Sequence, residues 1–320
     1  MEENNYPKNL QEFLIRFPND DSCLNYLKEI RWPNGFICPK CNNASHRVTK
    51  RRLFECDKCG LQTSLTAGTI FHGTRTSLQL WFHVIWWVAV QKTGVSASNF
   101  QDFMGFGSYE TAWTWLHKLR RVMNRPERDK LKGDVEVDET FIGGEESGVK
   151  ADGKKKTGRG STEKVLVVVA AEYNGKQIGR VRFKCIESAS GENLMKFIED
   201  NVAYGSTVVT DGWSGYSALS ESANYKHEKK IIAGSGMEAH QLLPHVHMID
   251  SLLKRWMNGT HQGRISKKHL EFYLDEYAFR FNRKLSTHRG KIFYRLIQQA
   301  VTTQAATYKE IVITKKERRG

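Results

Sequence analysis

The sequence predicts a mixed α/β chain in which a strand-rich core follows a small cysteine-bearing lobe and a helical segment. Three observations carry this. Four of the six cysteines stand in two Cys-x-x-Cys pairs within the first sixty residues. Apolar residues between 79 and 124 recur at helical spacing. From residue 134 the texture changes to short apolar or alternating runs, "DVEVDETFIG", "VLVVVAAEY", "QIGRVRFKCI" and "STVVTD", interrupted once by a helical stretch.

The cysteine pairs are "CPKC" (38–41) and "CDKC" (56–59), with fourteen residues between them. Two such knuckles on a hairpin place four thiolates around one tetrahedral zinc. Cys38, Cys41, Cys56 and Cys59 are therefore the expected ligands of a structural Zn²⁺. Gly60 can supply the positive φ that a knuckle needs. Lys50, Arg51 and Arg52 fall near the hairpin tip, as phosphate contacts or as a solvated basic turn. Cys23 and Cys185 read as ordinary core residues. The N-terminus has no basic region followed by an apolar run, so no signal peptide is expected. The most apolar stretch, "WFHVIWWVAV" (81–90), is too short to span a bilayer. A reducing cytoplasm is the expected location, with cysteines as ligands or core residues rather than disulfides.

The net charge is +14 in 320 residues. A surplus of that size suits a polyanionic partner, nucleic acid before an anionic membrane. The segment 95–124 supplies one candidate surface: a helix, a turn at Gly105–Gly107, and a second helix capped by Ser108. Ala112, Trp115, Leu116 and Leu119 form its apolar face. His117, Lys118, Arg120 and Arg121 are assigned to the rest. A helix-turn-helix would present Lys118, Arg120 and Arg121 to DNA; a plain helical hairpin would leave them solvated.

In the strand-rich part, the first strand, "VEVDETFIGG" (135–144), carries Asp138 inside an apolar run, where an ionised carboxylate is costly to bury. The stretch 149–164 follows, rich in glycine and basic residues, and reads as a mobile loop; Lys154, Lys155, Lys156 and Arg159 are its candidate DNA contacts. "VLVVVAAEY" reads as a strand buried on both faces. It pairs with "QIGRVRFKCI" across an "NGK" turn. A helix capped by Ser190 leads to a fourth strand that ends in Asp211. Strand, two-stranded hairpin, helix, strand is an order that resembles the ribonuclease-H-like core, in which the first and fourth strands are neighbours. Asp138 and Asp211 would then repel unless a divalent cation joined them. Period-two alternation places Glu136 on the face of Asp138, as an outer carboxylate, and Glu139 on the opposite face, paired with a base such as an arginine. Trp213 and Tyr216 are read as base-stacking or core residues, and His261 as lining the site or satisfying a loop.

Taken together, "CPKC…CDKCG", "SYETAWTWLHKLR", "VEVDETFIGG", "VVTDGWSGY", "LLKRWMNGTHQG" and "SKKHLEFYLDEYAFRFNRK" resemble the DDE-type transposases of bacterial insertion sequences, in the branch with an N-terminal zinc ribbon. The resemblance spans residues 38–284. It implies catalytic aspartates at Asp138 and Asp211, with Mg²⁺ or Mn²⁺, and a third ligand on a later helix seven residues before a basic residue. That basic residue is Lys254. Seven residues back stands His247, where the family commonly has Glu. In "HVHMIDSLLKRW" (245–256) helical offsets put His247, Asp250 and Lys254 on one face. His247 is favoured by register, with Asp250 as the alternative and Glu276 a third candidate. An imidazole suits Mn²⁺ better than Mg²⁺.

The expected organisation is a helical lead-in plus zinc ribbon (1–66), a helical DNA-binding segment (67–130), a ribonuclease-H-like catalytic domain (131–284), and a C-terminal helix and basic tail (285–320). The function implied is binding to element ends with metal-dependent strand cleavage and strand transfer, on double-stranded DNA and as a homo-oligomer. Two alternatives stay open: a DNA-binding derivative with reduced catalysis, and another ribonuclease-H-like nuclease.

Overall fold

The computed structural model describes residues 6–125, 128–143, 164–231, 238–262 and 265–312. Lys154, Lys155, Lys156, Arg159 and the basic tail lie outside the described residues. The chain divides into two compact units, Met1–Arg125 with Leu285–Gly320, and Pro126–Lys284.

The first unit opens with α1 (Leu10–Arg16) and α2 (Asp20–Arg31), capped by Asn9 and Asn19; Asn19 and Ser22 form a reciprocal capping box. The antiparallel ribbon β1 (His46–Val48), β2 (Leu53–Cys56), β3 (Gln62–Ser64) follows. Then come α3 (Leu78–Val90), α4 (Ala97–Met104) and α5 (Tyr109–Met123). α3 is a core helix: Trp81, Phe82, Val84, Ile85 and Trp86 are all buried. No helix among the described residues is long and apolar enough to cross a membrane. α4 ends at Gly105 in the left-handed region, and the Ser108 hydroxyl accepts from Thr111 N to start α5, so the helix, turn and second capped helix expected from 95–124 are present.

The second unit is built on β4 (Asp134–Ile142), β5 (Val165–Asn174), β6 (Gln177–Ile186), α6 (Gly191–Asn201), β7 (Thr207–Asp211), α7 (Ser217–Glu221), β8 (Lys226–Lys230), α8 (Ala239–Leu242), α9 (Pro244–His261) and α10 (Leu270–Phe281). The sheet order is β6-β5-β4-β7-β8. The first three strands in sequence are antiparallel, and β7 and β8 run parallel to β4. This is the ribonuclease-H-like mixed sheet that the element order predicts. β5 and β6 close across Gly175, whose φ of +56° a two-residue hairpin turn requires.

Two apolar layers cover the sheet. Val135, Val137, Val168 and Ala170 point to α6 and its core residues Leu194, Phe197 and Ile198. Val167, Val169, Ala171 and Val181 point to the other side, with Val246, Ile249, Leu253 and Met257 of α9 and Leu270, Tyr273, Leu274 and Tyr277 of α10. β5 is thus buried on both faces, as its unbroken apolar run implies. At the C-terminus of α10, Asn282 behaves as an extra strand residue. Val181 N donates to Asn282 Oδ1 at 2.7 Å and Asn282 Nδ2 donates to Val181 O at 3.2 Å, covering the free edge of β6.

The chain then returns to the first unit through α11 (Arg289–Ala300) and the short α12 (Tyr308–Val312). Phe293 of α11 sits in a cluster of rings with Phe13, Phe17, Phe82 and Trp86. Gly290 is obligatory: a Cβ there would fall 1.6 Å from Pro7 O.

Candidate active site and metal centre

β4 and β7 pair in parallel up to Glu136↔Val209. Asp138, in the middle of β4, and Asp211, the last residue of β7, each lie two residues beyond that pair, at matching positions on neighbouring strands. Asp138 Oδ1 accepts from Glu139 N at 2.9 Å, and Asp211 Oδ1 accepts from Trp213 N at 2.9 Å. Burial pushes the Asp138 carboxyl up to about 7, and the nearby carboxylates of Glu139, Asp211 and Asp250 add to it; the Glu139 N–H opposes the shift. A carboxyl placed among like charges out of water is what a cation site presents when the ion is not counted.

α9 brings the remaining candidates to the same face of β4. His247 Nε2 is 3.6 Å from Asp138 Oδ2. Lys254 Nζ donates to Asp250 Oδ2 and to Thr140 Oγ1, both at 2.8 Å. Asp250 Oδ1 is buried with no hydrogen-bond partner among the described residues. Such an orphaned oxygen beside a raised carboxyl fits a divalent cation, with Asp138, Asp211 and either His247 or Asp250 as the donor set. Among the described residues, only the ribbon cysteines bring three or more such ligand atoms within 4.8 Å of one another, so the set around Asp138 is an open arrangement. Glu276 is 2% exposed, and its carboxylate is taken by Arg280 Nε and the Arg280 guanidinium NH₂ at 2.9 and 2.7 Å. That pairing occupies it within α10.

Two acidic neighbours differ from expectation. Among the described residues Glu139 has no arginine on it; the buried Tyr216 hydroxyl donates to Glu139 Oε1 at 2.5 Å. Tyr216 is accordingly a core residue, while Trp213 is half exposed and its Nε1 donates to Ala189 O. Glu136 is turned to the start of α9, where it accepts from His245 N and Val246 N at 2.8 Å. No sequence signal linked Glu136 to His245, because the partners are 109 residues apart. His261 sits edge-on to Trp256 and Tyr273.

In the ribbon, Cys38 Sγ lies 3.6 Å from Cys59 Sγ and Cys41 Sγ 3.5 Å from Cys56 Sγ. All four sulfurs lie within 4.8 Å of one another. Asn43 Nδ2 donates to Cys56 Sγ at 3.6 Å, a polar contact that suits thiolate character. The four sulfurs form a site that could hold one metal ion. At the hairpin tip, Arg52 reaches back to Asp21 at 2.6 Å.

The basic face expected on α5 is smaller than its sequence implies. Arg120 is 2% exposed and His117 is fully buried, because the apolar face of α5 extends through Val122 and Met123 and takes them in. The expectation that Arg120 lies on a DNA surface is therefore corrected. Lys118 is half-buried with Nζ 5.9 Å from the Trp81 ring centroid, and burial lowers its pKa; Arg121 is also half-buried.

An antiparallel–parallel sheet in this order, with one carboxylate in the middle of its first strand and another at the end of its fourth, defines a ribonuclease-H-like domain of the DDE type. Residues 130–282 match the ISXO2-like transposase domain and residues 18–62 match the transposase zinc-ribbon domain, so the chain belongs to the DDE-type insertion-sequence transposases with an N-terminal zinc ribbon. It is 27% identical over 292 residues to a Halobacterium salinarum protein described as an uncharacterized protein in transposable element ISH50, covering 86% of this chain and 94% of that one. A chain of a pre-cleavage Mos1 transpososome is similar at 11% identity, covering 72% of this chain and 80% of that one, with a TM-score of 0.28.

Proposed function

We propose that this transposase binds the ends of an insertion sequence and catalyses divalent-metal-dependent cleavage and strand transfer. The observation that carries the reading is the placement of Asp138 and Asp211 on neighbouring parallel strands, each two residues past the last β4–β7 pair, with His247 Nε2 at 3.6 Å from Asp138. When bound, Mg²⁺ or Mn²⁺ at these residues supplies activation of the attacking oxygen and charge stabilisation at the leaving one. Asp138, Asp211 and His247, or Asp250 in its place, would hold it. Asp138 takes the central role, since its carboxyl gains most from a neighbouring cation. Lys254, held by Thr140 and Asp250, places an ammonium beside the carboxylates, where it would meet a DNA phosphate.

The first step frees a 3′-hydroxyl by hydrolysis and the second joins it to target DNA. Lys118 and Arg121, with Lys154, Lys155, Lys156 and Arg159, are proposed as phosphate contacts, in keeping with the net charge of +14. The cysteine site is proposed to hold a structural Zn²⁺. The active form is proposed as a homo-oligomer on double-stranded DNA, at the bacterial nucleoid.

The test is cleavage and joining of a duplex bearing the sequences that flank the gene, with Mn²⁺, by the wild-type chain, Asp138→Asn and Asp211→Asn. Both variants are expected to lose product by at least about 1,000-fold, the scale of losing one electrostatic catalytic element. A wild-type chain that neither cuts nor joins overturns the proposal, and one that cuts without joining reduces it to a nuclease.

A further inference from the structure

The helix that carries His247, Asp250 and Lys254 begins without a cap of its own. Its N-cap residue, Leu243, offers no side-chain acceptor, and Pro244 at the first position has no N–H. The next two amide donors, His245 N and Val246 N, both reach Glu136 Oε2 at 2.8 Å. The other oxygen of the same carboxylate, Oε1, is 2.6 Å from His245 Nδ1. His245 Nε2 in turn faces Gly175 O at 2.9 Å, in the β5–β6 turn. Tyr173 stacks on the imidazole, with centroids 4.2 Å apart and 13° between planes. Glu136 is 3% exposed. A carboxylate that deep is costly unless its oxygens are satisfied. The orphan donors of the first turn of α9 satisfy it, and the positive end of the helix dipole adds to the match.

The placement along β4 is regular. Glu136, Asp138 and Thr140 alternate onto one face and meet His245, His247 and Lys254 of α9 respectively. We infer that Glu136 and His245 form a clamp that sets the position of α9 and so holds His247, Asp250 and Lys254 in register with Asp138. They are positioning residues that touch none of the reacting atoms. The inference deepens the proposed function and rests on it for the role of the positioned side chains.

Hydrogen exchange of the α9 amides is measured on the metal-free, DNA-free chain for wild type, Glu136→Ala, Glu136→Gln and His245→Ala, together with Mn²⁺ binding followed by electron spin resonance. In Glu136→Ala the amides of residues 247–250 are expected to exchange about 10-fold faster or more, with β5 and β6 unchanged, and the Mn²⁺ Kd to rise about 10- to 100-fold, the usual cost of losing a group that orients ligands. Glu136→Gln keeps an oxygen for the two backbone donors and offers its amide to His245 Nδ1, so exchange and Mn²⁺ binding are expected to remain near wild type. Wild-type exchange and Mn²⁺ affinity in Glu136→Ala overturn the clamp. So does a Glu136→Gln chain with intact exchange but the Mn²⁺ loss of Glu136→Ala, which makes Glu136 a ligand. Should Glu136→Ala not fold, His245→Ala decides: it retains both backbone bonds to Glu136, and unchanged exchange and Mn²⁺ affinity there overturn the inference. A wild type that neither binds Mn²⁺ nor cuts DNA refutes the proposed function instead, and the exchange data still decide the clamp.

Discussion

His247 Nε2 stands 3.6 Å from Asp138 Oδ2, whereas the nearest partner of Asp250 Oδ2 is Lys254 Nζ at 2.8 Å. Of the two side chains on this face of α9, His247 is directed at the strand carboxylate and Asp250 is partly engaged by its own helix. His247→Ala is therefore expected to lower Mn²⁺-supported cleavage by about 100-fold and Asp250→Ala by about 10-fold. His247→Glu, which replaces an imidazole by a harder oxygen ligand, should raise the ratio of Mg²⁺- to Mn²⁺-supported rate about 10-fold. Cleavage rates in the two metals check this; a fully active His247→Ala removes His247 from the site.

The Asp138 carboxyl is raised from 3.8 to about 7. In the metal-free chain the folded state therefore holds a proton that the unfolded state releases above about 4. The stability this proton confers is complete below about 4 and is lost as pH rises through about 7. By linkage the ceiling is on the order of 4 kcal/mol. Asp138→Asn cannot ionise, so metal-free Asp138→Asn is expected to gain stability over wild type progressively between pH 4 and 7. Urea unfolding of both chains across that range, in chelator, measures the difference. A gap that does not widen with pH shows that Asp138 is ionised throughout. In wild type, Mn²⁺ binding should release a proton near pH 6 and tighten as pH rises toward 7.

Much of this site is legible in the residues alone. The order of strands and helix makes β4 and β7 parallel neighbours, and Asp138 and Asp211 follow from a charge inside an apolar strand and a carboxylate at the end of its neighbour. The offsets 247, 250 and 254 lie on one face of any helix. Glu136 is different: alternation puts it on the face of Asp138, but its role comes from the first turn of α9, a contact that no local period encodes. Glu139 misleads because a carboxylate suggests a cation, while the partner is a tyrosine hydroxyl. Arg120 misleads because polar type implies exposure, whereas α5 is enclosed almost all round in its last two turns. Nor does helical periodicity at 291–302 say that α11 packs with the first unit rather than with the sheet it follows.

The ribbon hangs on its sulfurs. Its strands are three or four residues long, and its apolar content is small, chiefly Trp32, Phe36 and Phe54. Metal binding to such a lobe amounts to its folding free energy, roughly 10–16 kcal/mol for structural zinc in small domains. Cys38→Ser is expected to release one zinc per chain and to open residues 34–66 to protease, with unit 126–284 still resistant. Metal analysis and limited proteolysis test this. Unchanged zinc content in Cys38→Ser would remove the cysteines as ligands.

Asn282 sits where α10 meets the edge of the sheet, and its amide takes both Val181 N at 2.7 Å and Val181 O at 3.2 Å. Val181 is fully buried, so its backbone groups have no ready access to water once the amide is gone. Asn282→Ala should then cost about 1–3 kcal/mol, the desolvation penalty of buried groups left unsatisfied. Asn282→Asp tests the donor half separately. It keeps an acceptor for Val181 N but sets a carboxylate against Val181 O, so it should be at least as destabilising at pH 7 and recover as the carboxylate is protonated. Urea midpoints for the three chains at pH 5 and pH 7 measure both effects. Equal midpoints for wild type and Asn282→Ala would mean that the edge of β6 is held by the apolar stripe of α10 alone.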